Sequence, residues 1–401
     1  MDKRKDTRRR ERNSRLEPRA GKPARVVLRG ERSSNAPYLL DNMQVWVENN
    51  YNTRLLYSNL AFPLLKKLTK VGDPLAKRVF KEEVVKRFLE GPTKIRDLLC
   101  YDEGYIDILT KEERRALFEE SDIEVIEELE MIAHDQFSIV ASRLDLNGNI
   151  LWKDGKVSGL DLTCASLSEI PEQIKKLKDL EILILYAAPN EELPDWLSEL
   201  KYLRHLDLQV GKLKSLPEWI GELKSLEHLD VYKNKIEYIP DSIGDLNRLK
   251  YLNLMDNSIS TVPDSIGKLT SLEYLNLSGN KLELIPESIG NLKRIKELYL
   301  GVNSLESIPE SIGNLKLLKE LGLVANKLKS LPKSISRIRG LKAIYLSNNP
   351  LEDIPEEIIN IPSLRKLWLN KTNISKAWYL KNRLEEKGVD VFLKSFRPSP
   401  S

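Results

Sequence analysis

From about residue 157 the chain repeats one arrangement of apolar and polar positions. One unit reads Leu226-x-x-Leu229-x-Val231-x-x-Asn234-x-Ile236-x-x-Ile239-Pro240-x-x-Ile243-x-x-Leu246. Its opening alternates apolar and polar side chains, which predicts a short strand with one face turned inward. The prolines at 171, 194, 217, 240, 263, 286, 309, 332 and 355 follow one another at steps of 23 residues, and so do the asparagines at 234, 257, 280, 303, 326 and 349. A fixed period in this range predicts a solenoid, because one unit cannot bury its own apolar positions and must stack on its neighbours. Asn234, Asn257, Asn280, Asn303, Asn326 and Asn349 stand where the chain leaves each strand, and their amides are expected to form a ladder on buried backbone carbonyls. The proline stops the strand and leads into Ser-Ile-Gly-x-Leu, read as a short 3-10 or helical turn on the far side.

The pattern resembles the leucine-rich repeat, L-x-x-L-x-L-x-x-N-x-L-x-x-L-P, over about 157–374. Its units with P-x-x-I-G-x-L are similar to those of Ras-interacting leucine-rich-repeat scaffolds and their plant and microbial relatives. The resemblance implies an α/β solenoid, a horseshoe with a concave parallel sheet of about ten strands. The ladder position departs from asparagine at the ends: it is Ala165, Ala188 and Gly211 in the first three units, and Thr372, beside Asn373, in the last. Ala187-Ala188-Pro189-Asn190 predicts an irregular turn. The open ends need caps. Asn147-Gly148 and Asp154-Gly155 are turn signals, so residues 143–156 are read as a hairpin cap. Residues 375–401 are read as a cap helix, Ser375–Glu386, ended by Lys387-Gly388, then a final strand or apolar plug and a loose tail.

Residues 37–142 read as a helical region, a small bundle or stacked helix pairs. Leu55, Leu56, Asn59, Leu60, Leu64 and Leu68 lie near a helical stripe that Pro63 kinks or restarts. Asp73-Pro74 is a helix start, and Leu75, Val79, Val84, Phe88 and Leu89 carry that helix to a stop at Gly91-Pro92. Further helices are expected over 93–100, 110–119 and 121–136. The last is expected to turn Ile123, Ile126, Leu129 and Ile132 inward and Glu124, Glu127, Glu128 and Glu130 outward.

Charge changes the picture at the N-terminus. The net charge of the chain is +4, yet residues 1–36 hold 13 Lys/Arg and 5 Asp/Glu, a net of +8, which leaves −4 for the rest. Such a segment, without an aromatic residue, buries too little apolar surface to order itself and is expected to be a disordered basic tail. It is either a solubilising tail or an arm drawn to nucleic acid or another anionic surface. The two cysteines, Cys100 and Cys164, cannot build a disulfide framework, and no apolar run suggests a membrane span or secretory signal, so the chain reads as cytoplasmic.

Known phosphate-loop, serine-hydrolase, zinc and dithiol signatures are absent from the sequence, and no cofactor is expected. Cys164 has no histidine in its repeat to activate it, and His134 is solitary. Chemistry is expected instead on the outward strand positions. One series runs Asp207, Asp230, Asn253, Asn276, Tyr299, Tyr345 and Trp368, with Tyr251 and Tyr274 two residues before Asn253 and Asn276, and Tyr232 two after Asp230. Strand spacing puts equivalent side chains about 4.8 Å apart, so these rings form clusters. Rigid exposed Tyr and Trp suit a protein interface, although tyrosine also simply suits a β surface. His205 and His228 beside Asp207 and Asp230 have metal-ligating chemistry, but parallel neighbours diverge rather than converge, so no metal is expected. The expected function is a non-enzymatic protein-binding scaffold. The resemblance implies a small GTPase or its regulator as partner. The alternative is a nucleic-acid or ribonucleoprotein factor recruited by residues 1–36.

Overall fold

The computed structural model describes residues 58–90, 120–133, 138–140, 149–153, 156–163, 167–372 and 377–393, with Ile374 and a few isolated positions before residue 117. The expected basic tail, the expected helix over 93–100, most of that over 110–119, and Cys100, His134, Cys164 and Ala165 lie outside the described residues. The chain divides into two compact units, Met1–Leu117 and Phe118–Ser401.

In the first unit, helices α1 (Ser58–Lys70) and α2 (Pro74–Glu90) pack on each other. Asp73 caps α2: its Oδ1 accepts the amides of Leu75 at 3.0 Å and Ala76 at 2.9 Å. Its Oδ2 accepts the Tyr51 hydroxyl at 2.6 Å. The helix ends at Glu90, before Gly91-Pro92, as the sequence predicts. Two expectations change. α1 is one element that does not restart at Pro63, although the proline lacks the N–H that would have bonded Asn59 O. The buried faces are Ala61, Leu65 and Leu68 on α1 and Ala76, Phe80 and Val84 on α2, so Leu64, Leu75 and Val79 flank the core instead of filling it.

The second unit begins with α3 (Glu120–Ala133), which sequence reading groups with the helical region but which packs on the repeats. Val125 and Leu129 join the repeat core, and Asp122 Oδ2 accepts the Val157 amide at 2.8 Å. Its inner face is Asp122, Val125, Leu129 and Ala133, with Ile132 exposed. The expected stripe 123-126-129-132 steps by three throughout and drifts around a helix of 3.6 residues per turn.

Thirteen strands then form one sheet in strict chain order. β1 (Ser138–Val140) pairs parallel with β2 (Asn149–Lys153), which turns back antiparallel onto β3 (Lys156–Asp161). That pair lies later than the hairpin expected over 143–156, because its second arm is also the strand of the first repeat. β4 (Ile182–Ile184), β5 (His205–Asp207), β6 (His228–Asp230), β7 (Tyr251–Asn253) and β8 (Tyr274–Asn276) follow, each parallel to the last. β9 (Glu297–Tyr299), β10 (Glu320–Gly322), β11 (Ala343–Tyr345), β12 (Lys366–Trp368) and β13 (Asp390–Phe392) complete it. Helix α4 (Ala377–Glu385) buries Leu380 and Leu384 against the last repeat, and β13 closes the sheet.

Opposite the strands each repeat makes a 3-10 turn that starts after its proline, as in Pro240, whose carbonyl accepts the Ile243 amide at 3.1 Å. Leucines and isoleucines from both sides fill one continuous core. The asparagines sit beneath the strand exits. Asn280 Nδ2 donates to the carbonyls of Leu254 at 2.9 Å and Leu277 at 3.0 Å, and its Oδ1 accepts the Ile259 amide at 3.0 Å. Asn234, Asn257, Asn303, Asn326 and Asn349 repeat this set of bonds. At the ends other groups serve: Asn190 Oδ1 accepts the Ile170 amide at 2.9 Å, and Thr372 Oγ1 donates to Leu369 O at 3.0 Å. Gly211 has no side chain because a Cβ there would lie 2.5 Å from Asn234 Oδ1.

Candidate binding face on the strands

Register alone aligns the outward side chains, and the rings stack. His205 and His228 lie face to face with centroids 3.9 Å apart, His228 and Tyr251 at 4.0 Å, and Tyr251 and Tyr274 at 4.4 Å. Tyr299 ends this column, tilted by 53° at 5.7 Å from Tyr274. It leans over Gly322, where a Cβ would meet its ring at 2.6 Å. A second column runs Tyr345, Trp368, Phe392, at 4.2 and 4.9 Å. Tyr232 stands outside both columns, half-exposed, and among the described residues it touches no other ring.

The row of acids and amides has a different position from the one expected. Asp230, Asn253 and Asn276 are at most 9% exposed. Each of Asp207, Asp230, Asn253 and Asn276 accepts the amide two residues on, at 3.1, 2.9, 3.2 and 3.0 Å, and so turns the chain out of its strand. Asp230 Oδ2 also accepts Asn253 Nδ2 at 3.1 Å and the Tyr251 hydroxyl at 3.3 Å. Asp230, Asn253 and Asn276 form a layer packed among the tyrosines, with little surface of their own, and Asp207 continues the row half-buried. Tyr251 and Tyr274 are likewise half-buried, where sequence reading points them to solvent.

Burial dominates the electrostatics here. It pushes Asp207 from the ordinary value of 3.8 to about 6, helped by the charge of Asp230 and opposed by bonds from Gln209. Burial raises Asp230 as well, against the bonds from Tyr232, Asn253 and Tyr251. The tyrosine hydroxyls are raised by burial and then by carboxylates: Asp230 beside Tyr251, Glu320 and Glu297 beside Tyr299. The Tyr299 hydroxyl donates to Glu320 Oε2 at 2.9 Å, with Glu297 at 3.2 Å and the Tyr345 hydroxyl 3.4 Å from the same Glu320 oxygen. Glu320 therefore joins the two aromatic columns. The residue-by-residue alternation contains the signal for Glu297 and Glu320, which occupy the Tyr251 position two and three repeats on. Phe392 was hidden because the cap shifts it to a step of 24 from Trp368.

The stacked imidazoles present parallel planes, so their nitrogens project side by side. Among the described residues no three His, Cys, Asp or Glu side chains are grouped as a metal ion needs.

Short strands in parallel register, an asparagine ladder and 3-10 turns opposite define a leucine-rich-repeat solenoid. Residues 233–305 match the family described as leucine-rich repeat region, and residues 316–374 that described as leucine rich repeat. Among solved structures, a TDR receptor is similar at 26% identity over 59% of this chain and 42% of that one, with a TM-score of 0.53. A leucine-rich-repeat protein of Leptospira interrogans matches at 28% identity over 60% of this chain and 72% of its own, with a TM-score of 0.45. The plant peptide hormone receptor RGFR1, solved in complex with RGF2, matches at 30% over 57% and 38%, with a TM-score of 0.49. The chain thus spans less than half of either receptor. A search of curated proteins returned no match. No described helix is long and apolar enough to cross a membrane.

Proposed function

We propose that the strand face is the docking surface of a non-enzymatic protein-binding module working inside the cell. The observation that carries this is the half-exposed ring column from His228 to Tyr299, backed by the buried His205 and joined through Glu320 to Tyr345 and Trp368. Rings that cover each other's faces offer a partner their edges and hydroxyls, and Glu297 and Glu320 add acceptors. Such a surface favours a partner presenting lysine, arginine or amide donors, and its rigidity limits the entropy lost on docking. Likeness of the repeats to those of Ras-interacting scaffolds makes a small GTPase or its regulator the first partner class to try.

The test is calorimetry of the full chain with small GTPases in both nucleotide states. A partner on this face should bind Tyr251→Ala/Tyr274→Ala about 2 kcal/mol more weakly. That variant opens the column, so Glu297→Gln/Glu320→Gln, which keeps shape, should weaken binding too. Trp219→Phe, on the turn side where Trp219 Nε1 donates to Asp195 at 3.0 Å, should not. If no GTPase binds, that partner class is wrong; if only Trp219→Phe matters, the face is wrong.

A further inference from the structure

Charge on the segment leading into the strands obeys one rule in the early repeats and breaks it in the late ones. The residue before each strand runs Glu181, Arg204, Glu227, Lys250, Glu273, Lys296. Neighbouring repeats neutralise one another: Arg204 bridges Glu181 and Glu227, Lys250 joins Glu227, and Lys296 pairs with Glu273. The same position then becomes Lys319, Lys342 and Arg365, with no acid between them.

A second column changes in the same way, three residues upstream. Lys178, Lys201 and Lys224 pair with Glu199, Glu222 and Asp245, acids at the end of the next repeat's 3-10 turn, at 3.0, 3.0 and 3.4 Å. After the uncharged Asn247 and Thr270 the base returns at Lys293, Lys316 and Arg339, but the matching positions are Asn314, Arg337 and Asn360. All six bases are exposed, and none has an ion-pair partner among the described residues. Lys293 and Lys316 settle on the carbonyls of Gly290 and Gly313, at 3.0 and 2.6 Å, and Arg365 on that of Pro362 at 3.2 Å. Apart from Lys296, both columns from Lys293 to Arg365 hold bases with no matching acid, so like charges stack at strand spacing on a fixed frame.

We propose that this ridge docks an acidic protein segment in which an apolar side chain stands among Asp and Glu. The proposal rests on the reading of the chain as a protein-binding module and adds a second surface to it. Leu317 decides between a protein and a nucleic acid. It lies between Lys316 and Lys319, is 52% exposed, and has Gly340 at its position in the next repeat, which leaves it uncovered. A phosphate backbone has nothing apolar to bury it. Single-stranded nucleic acid also needs aromatic platforms, and no fully exposed ring lies between residues 293 and 365.

The probes are a fluorescent synthetic peptide of Asp and Glu with interspersed leucines, the same peptide with serine for leucine, and a single-stranded oligothymidine of equal charge, each titrated into the full chain at about 0.15 M salt. The leucine peptide should bind tightest. Lys319→Glu/Lys342→Glu should weaken it about tenfold or more, since each reversal replaces an attraction by a repulsion. Leu317→Ser should weaken the leucine peptide and leave the serine peptide unchanged. Lys201→Glu/Lys224→Glu, in the neutralised repeats, should change nothing. All these positions are exposed, and thermal unfolding of each variant is the check that it is folded. Glu297→Gln/Glu320→Gln should leave the peptide bound, which separates failure here from failure of the strand-face reading. Equal binding by the ridge and control variants overturns the proposal. So does oligothymidine that binds as tightly as the leucine peptide and is indifferent to Leu317→Ser, which would make the ridge a nucleic-acid surface.

Discussion

Each repeat asks its residues to fit their neighbours in the next. Gly244 shows this on the turn side, where an added Cβ would lie 2.5 Å from Ser265 O. Ser265 is buried, and among the described residues its hydroxyl has no hydrogen-bond partner, as also at Ser242, Ser288, Ser311 and Ser334. Gly244→Ala is expected to destabilise by about 1–3 kcal/mol through overpacking, whereas Ser265→Ala should be neutral or stabilising because it removes a buried unpaired hydroxyl. Urea midpoints of the two variants check this, and equal midpoints would contradict it. On the ladder, Asn280→Ala leaves carbonyls and an amide unpaired and should cost about 1–3 kcal/mol, against little for the exposed Lys281→Ala. The residue before the ladder position is left-handed in every repeat from Ala187 to Lys371. Gly279 and Asn348 suit it, but Val302, with φ 52°, does not. Val302→Asn should therefore stabilise by about 1 kcal/mol, readable as a higher Tm.

Strands, turns and the stacked columns behave as elements because their parts share charges and faces. The Asp layer ties the strand face to pH. The folded chain raises Asp207 above its unfolded value, so the folded state holds that proton more tightly. Asp207 therefore contributes stability that is complete below about pH 3.8 and is lost as pH rises toward 6. Asp207→Asn should be more stable than the parent at pH 7, with the difference shrinking as the pH falls to 4. An unchanged difference in urea midpoints across that range would contradict the account. The column Arg204–Glu227–Lys250 has the opposite sign at Glu227, which its two bases hold below the ordinary carboxylate range. Exposure and salt keep that contribution small.

At the scale of the molecule, the solenoid depends on its ends. A chain starting at Phe118 keeps α3, β1 and β2, and its repeat unit should melt at the temperature of the full chain. A chain starting at Lys156 uncovers Leu160, Ile174 and Leu177, which are buried in the core beneath the cap, and should melt lower and aggregate. Calorimetry of the two truncations decides this; equal melting would mean that the cap is dispensable. The sequence by itself determined the period, the strand side, the turn side and the place of the asparagine ladder. It did so because stacking identical units leaves each position one environment, so periodicity and burial carry the same information. Side-chain partners across repeats were decided only in three dimensions. Asp230 and Asn276 read as contact residues because alternation turns them outward, yet the tyrosines close over them and their backbone bonds draw them in. The face of α3 and its allegiance to the repeats were likewise set by packing, since the apolar residues of that helix surround more of it than one partner can cover. The two uncompensated base columns are legible letter by letter, but their meaning depends on which acid in the next repeat lies within reach, and only the stacked structure fixes that distance.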